Sequence, residues 1–178
     1  CVRSPGAEAV LWRAIDNLVA SPVALTADLI LMSSTLNTAP DALAALHRRG
    51  VTAFNVWLVS LTDNNAGNVA SLPRITDAAA TVGRCVEYGH EHGLDVRSLH
   101  IPRCLLPGLE AHVDHPGAGQ SVRVVTPDAV FQLSGSRLSG GHKAAQCGEC
   151  VYDAVCPGLR ADYVAQFGDS ELRPVLQD

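Results

Sequence analysis

The chain has 178 residues, of which 47% are apolar and 17% are charged, and its formal net charge is −5. This composition excludes a disordered chain and allows a substantial core in a protein of one ordinary domain. The negative charge argues against a nucleic-acid partner, and no apolar run approaches the roughly 20 residues that span a bilayer. The chain starts at Cys1 with neither an initiator Met nor a signal-peptide pattern. We therefore expect a cytoplasmic protein that is a fragment or a processed product, without a membrane association.

The first part of the chain predicts alternating helices and strands. Apolar residues at helical spacing predict a helix over residues 7–20. The apolar run over residues 23–32 predicts a strand buried on both faces. A second helix is predicted from Ala39, where Pro40 suits a first turn, to the C-cap Gly50.

The same alternation continues to about residue 106. Residues 51–61 give the clearest strand pattern, because they are rich in β-branched and aromatic side chains. A long helix is predicted over residues 72–92, and a third strand over residues 94–106. Strands that alternate with such helices indicate βαβ units and a parallel sheet. This sheet could be an open doubly wound sheet or part of a (β/α) barrel.

The composition changes after residue 106. Pro, Gly and His become frequent, residues 122–133 predict a short β-hairpin, and a short helix is predicted over residues 161–167. We therefore predict two parts, a sheet-forming part over residues 1–106 and a small cofactor-bearing extension over residues 107–178. The extension is expected at the C-terminal edge of the sheet.

Four cysteines carry most of the functional information. Cys147, Cys150 and Cys156 form a C-x2-C-x5-C group, and Cys104 lies at the end of the third predicted strand. Three clustered cysteines and a distant fourth are typical of an iron–sulfur cluster, while a zinc site would use the same residues or His142 as the fourth ligand. Spacing alone does not decide between these two cofactors, and the reduced thiols expected in a cytoplasmic protein argue against disulfides.

The residues around these cysteines resemble a known family. Residues 100–108 around Cys104, and the run from Cys147 through Gly158 and Tyr163 to Pro174, are similar to the C-terminal region of radical S-adenosylmethionine enzymes. Many of those enzymes carry an auxiliary [4Fe-4S] cluster in a short domain of the SPASM or twitch type. The resemblance covers about residues 23–174 and favours the iron–sulfur alternative.

The resemblance implies an α/β fold in which a partial (β/α) radical SAM-type barrel precedes a small Cys-rich auxiliary-cluster extension. It implies that Cys104, Cys147, Cys150 and Cys156 ligate the auxiliary cluster. The C-x3-C-x2-C motif that holds the S-adenosylmethionine-cleaving cluster is absent from this sequence, and we give Cys1 little weight as its remnant. The chain is therefore expected to need the N-terminal half of the barrel, and its own status as an enzyme stays open.

In the complete protein, the family's chemistry is the reduction of S-adenosylmethionine, which releases a radical that takes a hydrogen atom from the substrate. A peptide or a small molecule would be the substrate, and a reductant protein would supply the electron. The resemblance and the strand-end positions nominate five residues for the cofactor site: Asn37, Ser60, Asp63, His100 and Arg103. Four protein thiolates leave no open coordination position, so the auxiliary cluster is expected to transfer electrons. The chain itself offers no residue for a catalytic role.

Simpler interpretations exist for these residues. Ser60 and Asp63 are also common in turns after strands, and His100 could be a strand-end histidine bonded to the backbone. Cys85 is expected to be a small core residue. For the whole chain, the alternatives are a non-catalytic iron–sulfur electron-transfer module and a zinc-stabilised structural α/β domain.

Overall fold

The computed structural model describes residues 5–61, 65–114, 123–125, 129–132 and 141–177. These residues form helices and strands that alternate through the first part of the chain. In chain order they are α1 (Ala7–Val19), β1 (Thr26–Leu31), α2 (Ala39–His47), β2 (Ala53–Leu58), α3 (Ile75–His92), β3 (Asp95–Leu99), β4 (Val113–Asp114), β5 (Arg123–Val125), β6 (Val130–Gln132), β7 (Gly141–His142), β8 (Leu159–Arg160) and α4 (Ala161–Phe167).

Strands β1 to β4 form one parallel sheet in sequence order, β1-β2-β3-β4. The register pairs Asp28 with Asn55, and Asn55 with Arg97. The prediction of an α/β fold with a parallel sheet is confirmed. Within the described residues the four strands do not close into a barrel.

Helices α2 and α3 cover one face of this sheet. Leu43 of α2 and Val82 of α3 are fully buried in the same core as Phe54 and Val56 of β2. Helix α3 approaches β3 closely at Gly89, where an added Cβ would lie 2.6 Å from a methyl carbon of Val96. The absence of a side chain at this glycine therefore sets the distance between helix and sheet.

The opposite face of the sheet is much more exposed, and this corrects one prediction. Along β1, exposed and half-buried residues alternate up to the buried Leu31. Ile30 remains 55% exposed and Asp28 is exposed, so β1 is not buried on both faces. The helices pack on one side only, so every second side chain of β1 points away from the core.

Strand β3 is shorter than predicted. It ends at Leu99, because His100 adopts φ +68°, a left-handed conformation that interrupts an extended strand. Pro102 then lacks the N–H that a strand ladder needs. Strand β4, which the sequence analysis missed, pairs with Ser98 and Leu99 of β3 from beyond residue 106. The division between residues 106 and 107 stays a prediction.

Helix α1 contributes little to the core. It contains no buried residue, and Val10 and Leu11 of its apolar face are at least half exposed. Nη1 of Arg49 donates to both carboxylate oxygens of Asp16 at 2.6 and 2.7 Å, and the Arg49 guanidinium lies over the Trp12 ring. These polar contacts and the partly buried Ile15 and Val19, which pack against the core, attach the C-terminal half of α1.

The second part of the chain contains the predicted hairpin and the predicted short helix. Strands β5 and β6 pair antiparallel, and so do β7 and β8. Helix α4 occupies the residues predicted for it. Among the helices of the described residues, none is long and apolar enough to cross a membrane.

Candidate metal centre at the carboxyl edge of the sheet

The four predicted ligands lie in short turns rather than in regular elements. Cys104 occupies a 3-10 turn, Arg103–Leu105, just beyond the carboxyl end of β3. Cys147 lies in a second 3-10 turn, Ala145–Glu149, which ends at Cys150. All four cysteines are half-buried free thiols, and electrostatic interactions link Cys104 to the other three. The fold therefore brings the distant cysteine to the clustered group.

Backbone amides donate to three of the four sulfur atoms. The N–H groups of Gly158 and Val175 lie 3.4 Å from the sulfurs of Cys156 and Cys150. The backbone N–H of Arg173 donates to the sulfur of Cys104. A neutral thiol is a weak acceptor, whereas a thiolate is a much stronger one. These donors are therefore arranged to stabilise thiolates, the form that ligates metals.

The thiols need a positive partner to ionise together. Burial raises the pKa of Cys104 and of Cys156, and repulsion from neighbouring cysteines raises both further. The backbone donors oppose this rise, and the Lys143 ammonium also lowers the pKa of Cys156. Lys143 is itself paired with Asp153 at 2.8 Å. Most of the charge of four thiolates would therefore have to be balanced by a bound cationic group.

The donor set fits an iron–sulfur cluster in its chemistry. Such clusters are bound by cysteine thiolates, and hydrogen bonds to the ligating sulfurs tune them. The four cysteines and their backbone amide donors supply both features. Among the described residues, no group of three or more His, Cys, Asp or Glu side chains that could hold a metal ion is found.

Arg160 attaches the cysteine segment to the sheet. Its guanidinium donates to the carbonyls of Leu58 and Val59 at 3.0 and 2.6 Å, at the carboxyl end of β2. The same group pairs with Asp162 through two hydrogen bonds of 2.9 and 2.7 Å. Both side chains are less than one fifth exposed. This contact places Arg160 and Asp162 at the carboxyl edge of the sheet.

Asp162 completes the attachment. Its carboxylate accepts a hydrogen bond from the backbone N–H of Leu61 at 2.8 Å, just after β2. Burial raises the pKa of Asp162, but the hydrogen bonds from Arg160 and Leu61 outweigh this effect and hold it below the ordinary value. The carboxylate is therefore ionised near neutral pH and binds both the guanidinium and the backbone.

Arg160 was not among the site residues nominated from the sequence. Its bonds to the β2 carbonyls and the role of Asp162 were missed. The signal was present, since an arginine two residues before an aspartate at a helix start can form such a pair, but its target on β2 could not be read from the sequence.

The predicted cofactor-binding residues lie on loops at this edge. Asn37 is exposed in the loop after β1, and Ser60 is half-buried after β2. The Ser60 carbonyl accepts a hydrogen bond from the Asn65 amide at 2.8 Å. Asp63 lies outside the described residues. The structure therefore places Asn37 and Ser60 on neighbouring strand-end loops, and their role in binding S-adenosylmethionine stays a prediction.

His100 is the most unusual of these residues. Among the described residues it is the one non-glycine with a positive φ, and its ring lies 5.0 Å from the Trp57 ring. Burial lowers the pKa of His100, and the Arg160 guanidinium lowers it further. His100 is therefore a neutral imidazole at physiological pH. Left-handed backbone at a non-glycine costs energy and is concentrated at functional sites.

Arg103 connects β4 with the cysteine segment. One guanidinium nitrogen donates to the Val113 carbonyl at 2.9 Å, and the group lies 5.6 Å from the centre of the Tyr152 ring. Its Nη1 is buried without a hydrogen-bond partner among the described residues. Tyr152 belongs to the loop between Cys150 and Cys156, so Arg103 is placed beside the thiol group.

The alternative ligand His142 is engaged elsewhere. Its Nε2 lies 2.7 Å from a carboxylate oxygen of Asp169, and the side chain is exposed. Cys85 is fully buried in the core, as predicted. Glu149 is exposed, as expected for an acidic residue next to the thiols.

No protein-family model, no curated protein and no solved structure was found to match this chain. The site's own residues therefore carry the functional argument.

Proposed function

We propose that this chain binds an auxiliary [4Fe-4S] cluster through Cys104, Cys147, Cys150 and Cys156 as the later part of a radical S-adenosylmethionine enzyme. The complete protein would modify a peptide or small-molecule substrate and would receive electrons from a reductant protein. The single observation that carries the cluster assignment is the gathering of four free thiols with amide donors to three sulfurs. When bound, the cluster would transfer single electrons.

The sheet supports the barrel component of the proposal. Its four parallel strands follow sequence order, and the core helices α2 and α3 pack on one face. In a (β/α) barrel the strands run in sequence order and the helices lie outside, whereas a doubly wound sheet has helices on both faces. The exposed face, which carries Asp28, Asn55 and Trp57, would then line the inside of the barrel.

The chain's own residues hold the two parts of the site together. Arg160 and Asp162 attach the cysteine segment beside the carboxyl end of β2, where barrel enzymes place their chemistry. His100 and Trp57 lie on the same edge, and a neutral imidazole there can accept or donate one hydrogen bond to a bound molecule.

Anaerobic reconstitution with iron and sulfide tests the cluster assignment. We expect a brown protein with broad absorbance near about 400 nm and about four irons per chain. Changing any of the four ligands to serine should lower the iron content, and Cys85→Ser is the matched control because Cys85 lies in the core. A colourless protein with one zinc ion would overturn the assignment in favour of a structural zinc site.

Binding and cleavage of S-adenosylmethionine test the enzyme assignment separately. The measurement requires the proposed complete enzyme, reconstituted and reduced under anaerobic conditions. We expect cleavage by the complete protein and none by residues 1–178 alone. A complete protein that holds its clusters without binding S-adenosylmethionine would instead be an electron-transfer module.

A further inference from the structure

A histidine pair lies on the opposite edge of the sheet from the cysteines. His90 is in the last turn of α3, and His112 ends the 3-10 turn that leads into β4. Both positions lie near the amino ends of the strands. No shared role for these histidines was predicted from the sequence, because 22 residues separate them.

The Nε2 atom of each imidazole ring faces the Nε2 atom of the other. Their Nε2 atoms are 2.8 Å apart, and the Nδ1 of His112 lies 3.0 Å from the Val96 carbonyl oxygen. A carbonyl only accepts, so Nδ1 of His112 carries hydrogen, and Nε2 of the neutral ring presents its lone pair. His90 must then donate from its own Nε2.

This arrangement matches the way proteins prepare histidine ligands. Metal-binding histidines usually donate the other ring N–H to a carbonyl or carboxylate, which fixes the tautomer and the ring orientation. The Val96 carbonyl does this for His112. His90 becomes a second ligand when its proton moves from Nε2 to Nδ1 through solvent, with no change in net charge.

The spacing is compatible with one metal ion bound by both rings. Metal–nitrogen bonds of about 2.0–2.1 Å place neighbouring ligands about 2.9 Å apart at a right angle and about 3.4 Å apart in a tetrahedron. The observed 2.8 Å is the length of a hydrogen bond between the rings, and a small movement of either ring lets both nitrogens bind one ion. Right-angle nitrogen geometry is typical of Ni²⁺ and Cu²⁺, which also bind imidazole strongly.

We propose that His90 and His112 form a binding site for a divalent transition-metal ion of the Ni²⁺ or Cu²⁺ type. Water fills the remaining positions, since no group of three His, Cys, Asp or Glu ligands is found in the described part of the chain. His90 is exposed, so an ion reaches the pair directly from solvent. The site is separate from the cysteine site and does not depend on the function proposed for it.

Calorimetric titration with Ni²⁺ tests the proposal in the wild type and in His90→Gln, His112→Gln and His92→Gln. His92 is the matched control because it lies in the same helix turn and its Nδ1 is bonded to the Tyr88 carbonyl. We expect His90→Gln and His112→Gln each to weaken one binding event about tenfold or more, since even outer-shell changes cost 10–100-fold. His92→Gln should bind Ni²⁺ at this site as tightly as the wild type does. Any Ni²⁺ bound by the cysteines should be bound equally in all variants.

Equal Ni²⁺ affinity in the wild type and in His90→Gln would overturn the proposal, and the pair would then be only a hydrogen bond between two rings. Loss of the same event in His92→Gln would also overturn it. Exposed His90 can be changed without disturbing the core, so this variant decides the question even if His112→Gln unfolds.

Discussion

The phenol oxygen of Tyr163 lies 2.9 Å from the backbone nitrogen of Ile75 and accepts its hydrogen bond across 88 residues of chain. Ile75 begins α3, and the first N–H groups of a helix have no partner within the helix. Glu171 accepts two further hydrogen bonds from Thr76 and pairs with Arg74 at 3.0 Å. The segment that follows the cysteines therefore caps a central helix of the sheet-forming part.

Removal of the Tyr163 hydroxyl should destabilise the fold. In Tyr163→Phe, the Ile75 N–H loses its acceptor in a buried position and Glu171 loses a donor. We expect the free energy of unfolding to fall by about 1–3 kcal/mol, the usual cost of a buried unsatisfied group. Urea denaturation measures this change. Tyr152→Phe is the control, because its ring still packs against Arg103, and equal losses in both variants would contradict the capping role.

The stability of the protein should fall in mild acid. Asp162 and Glu171 have pKa values held below their ordinary 3.8 and 4.5. Burial raises the pKa of each carboxyl group. Hydrogen bonds from Arg160 to Asp162 and from Tyr163 to Glu171 lower these pKa values by more than burial raises them. A lowered folded-state pKa means that the carboxylates stabilise the fold fully above the ordinary values.

The urea midpoint should therefore decrease as the pH falls below 4.5, the ordinary pKa of Glu171, and then below 3.8, the ordinary pKa of Asp162. Asp162→Asn should be less stable than the wild type at neutral pH and should show a shallower decrease. Parallel pH profiles for the two proteins would show that Asp162 makes no such contribution.

Cys85 should resist alkylation in the folded protein. Burial raises its pKa to about 11, so the reactive thiolate is scarce at pH 8 and the sulfur is inaccessible. Treatment of metal-free protein with iodoacetamide should modify the half-buried cysteines at the candidate metal centre before Cys85. Peptide mass spectrometry measures the order, and urea-unfolded protein is the control in which Cys85 must react. Early modification of Cys85 in native protein would contradict its placement in the core.

Two substitutions at His100 separate backbone strain from side-chain function. Glycine adopts the observed φ of +68° readily, whereas a residue with a Cβ pays about 1–2 kcal/mol there. We expect His100→Gly to be about 1 kcal/mol more stable than His100→Ala, as measured by urea denaturation. If the imidazole serves the proposed cofactor site, both variants should weaken S-adenosylmethionine binding in the complete protein equally. Equal stability of the two variants would show that the left-handed backbone carries no strain.

The sequence predicted the local elements well where the pattern had a clear physical period. Helices α2 and α3 and strand β2 follow from apolar spacing, and Gly93 ends α3 with φ +67° as a C-cap glycine does. The pattern failed for β1, because a continuous apolar run does not reveal that helices cover one face only. It also failed for β3, since no local signal placed His100 in a left-handed conformation.

The sequence by itself determined the α/β character, the parallel sheet and the clustered group of three cysteines, because composition, periodicity and cysteine spacing are local properties of the chain. Only the tertiary structure decided what joins the parts. The bonds from Arg160 to the carbonyls of β2, from Tyr163 to the start of α3, and between His90 and His112 connect residues far apart in sequence. Such contacts depend on the register of the sheet and the packing of helices upon it, which no local pattern encodes.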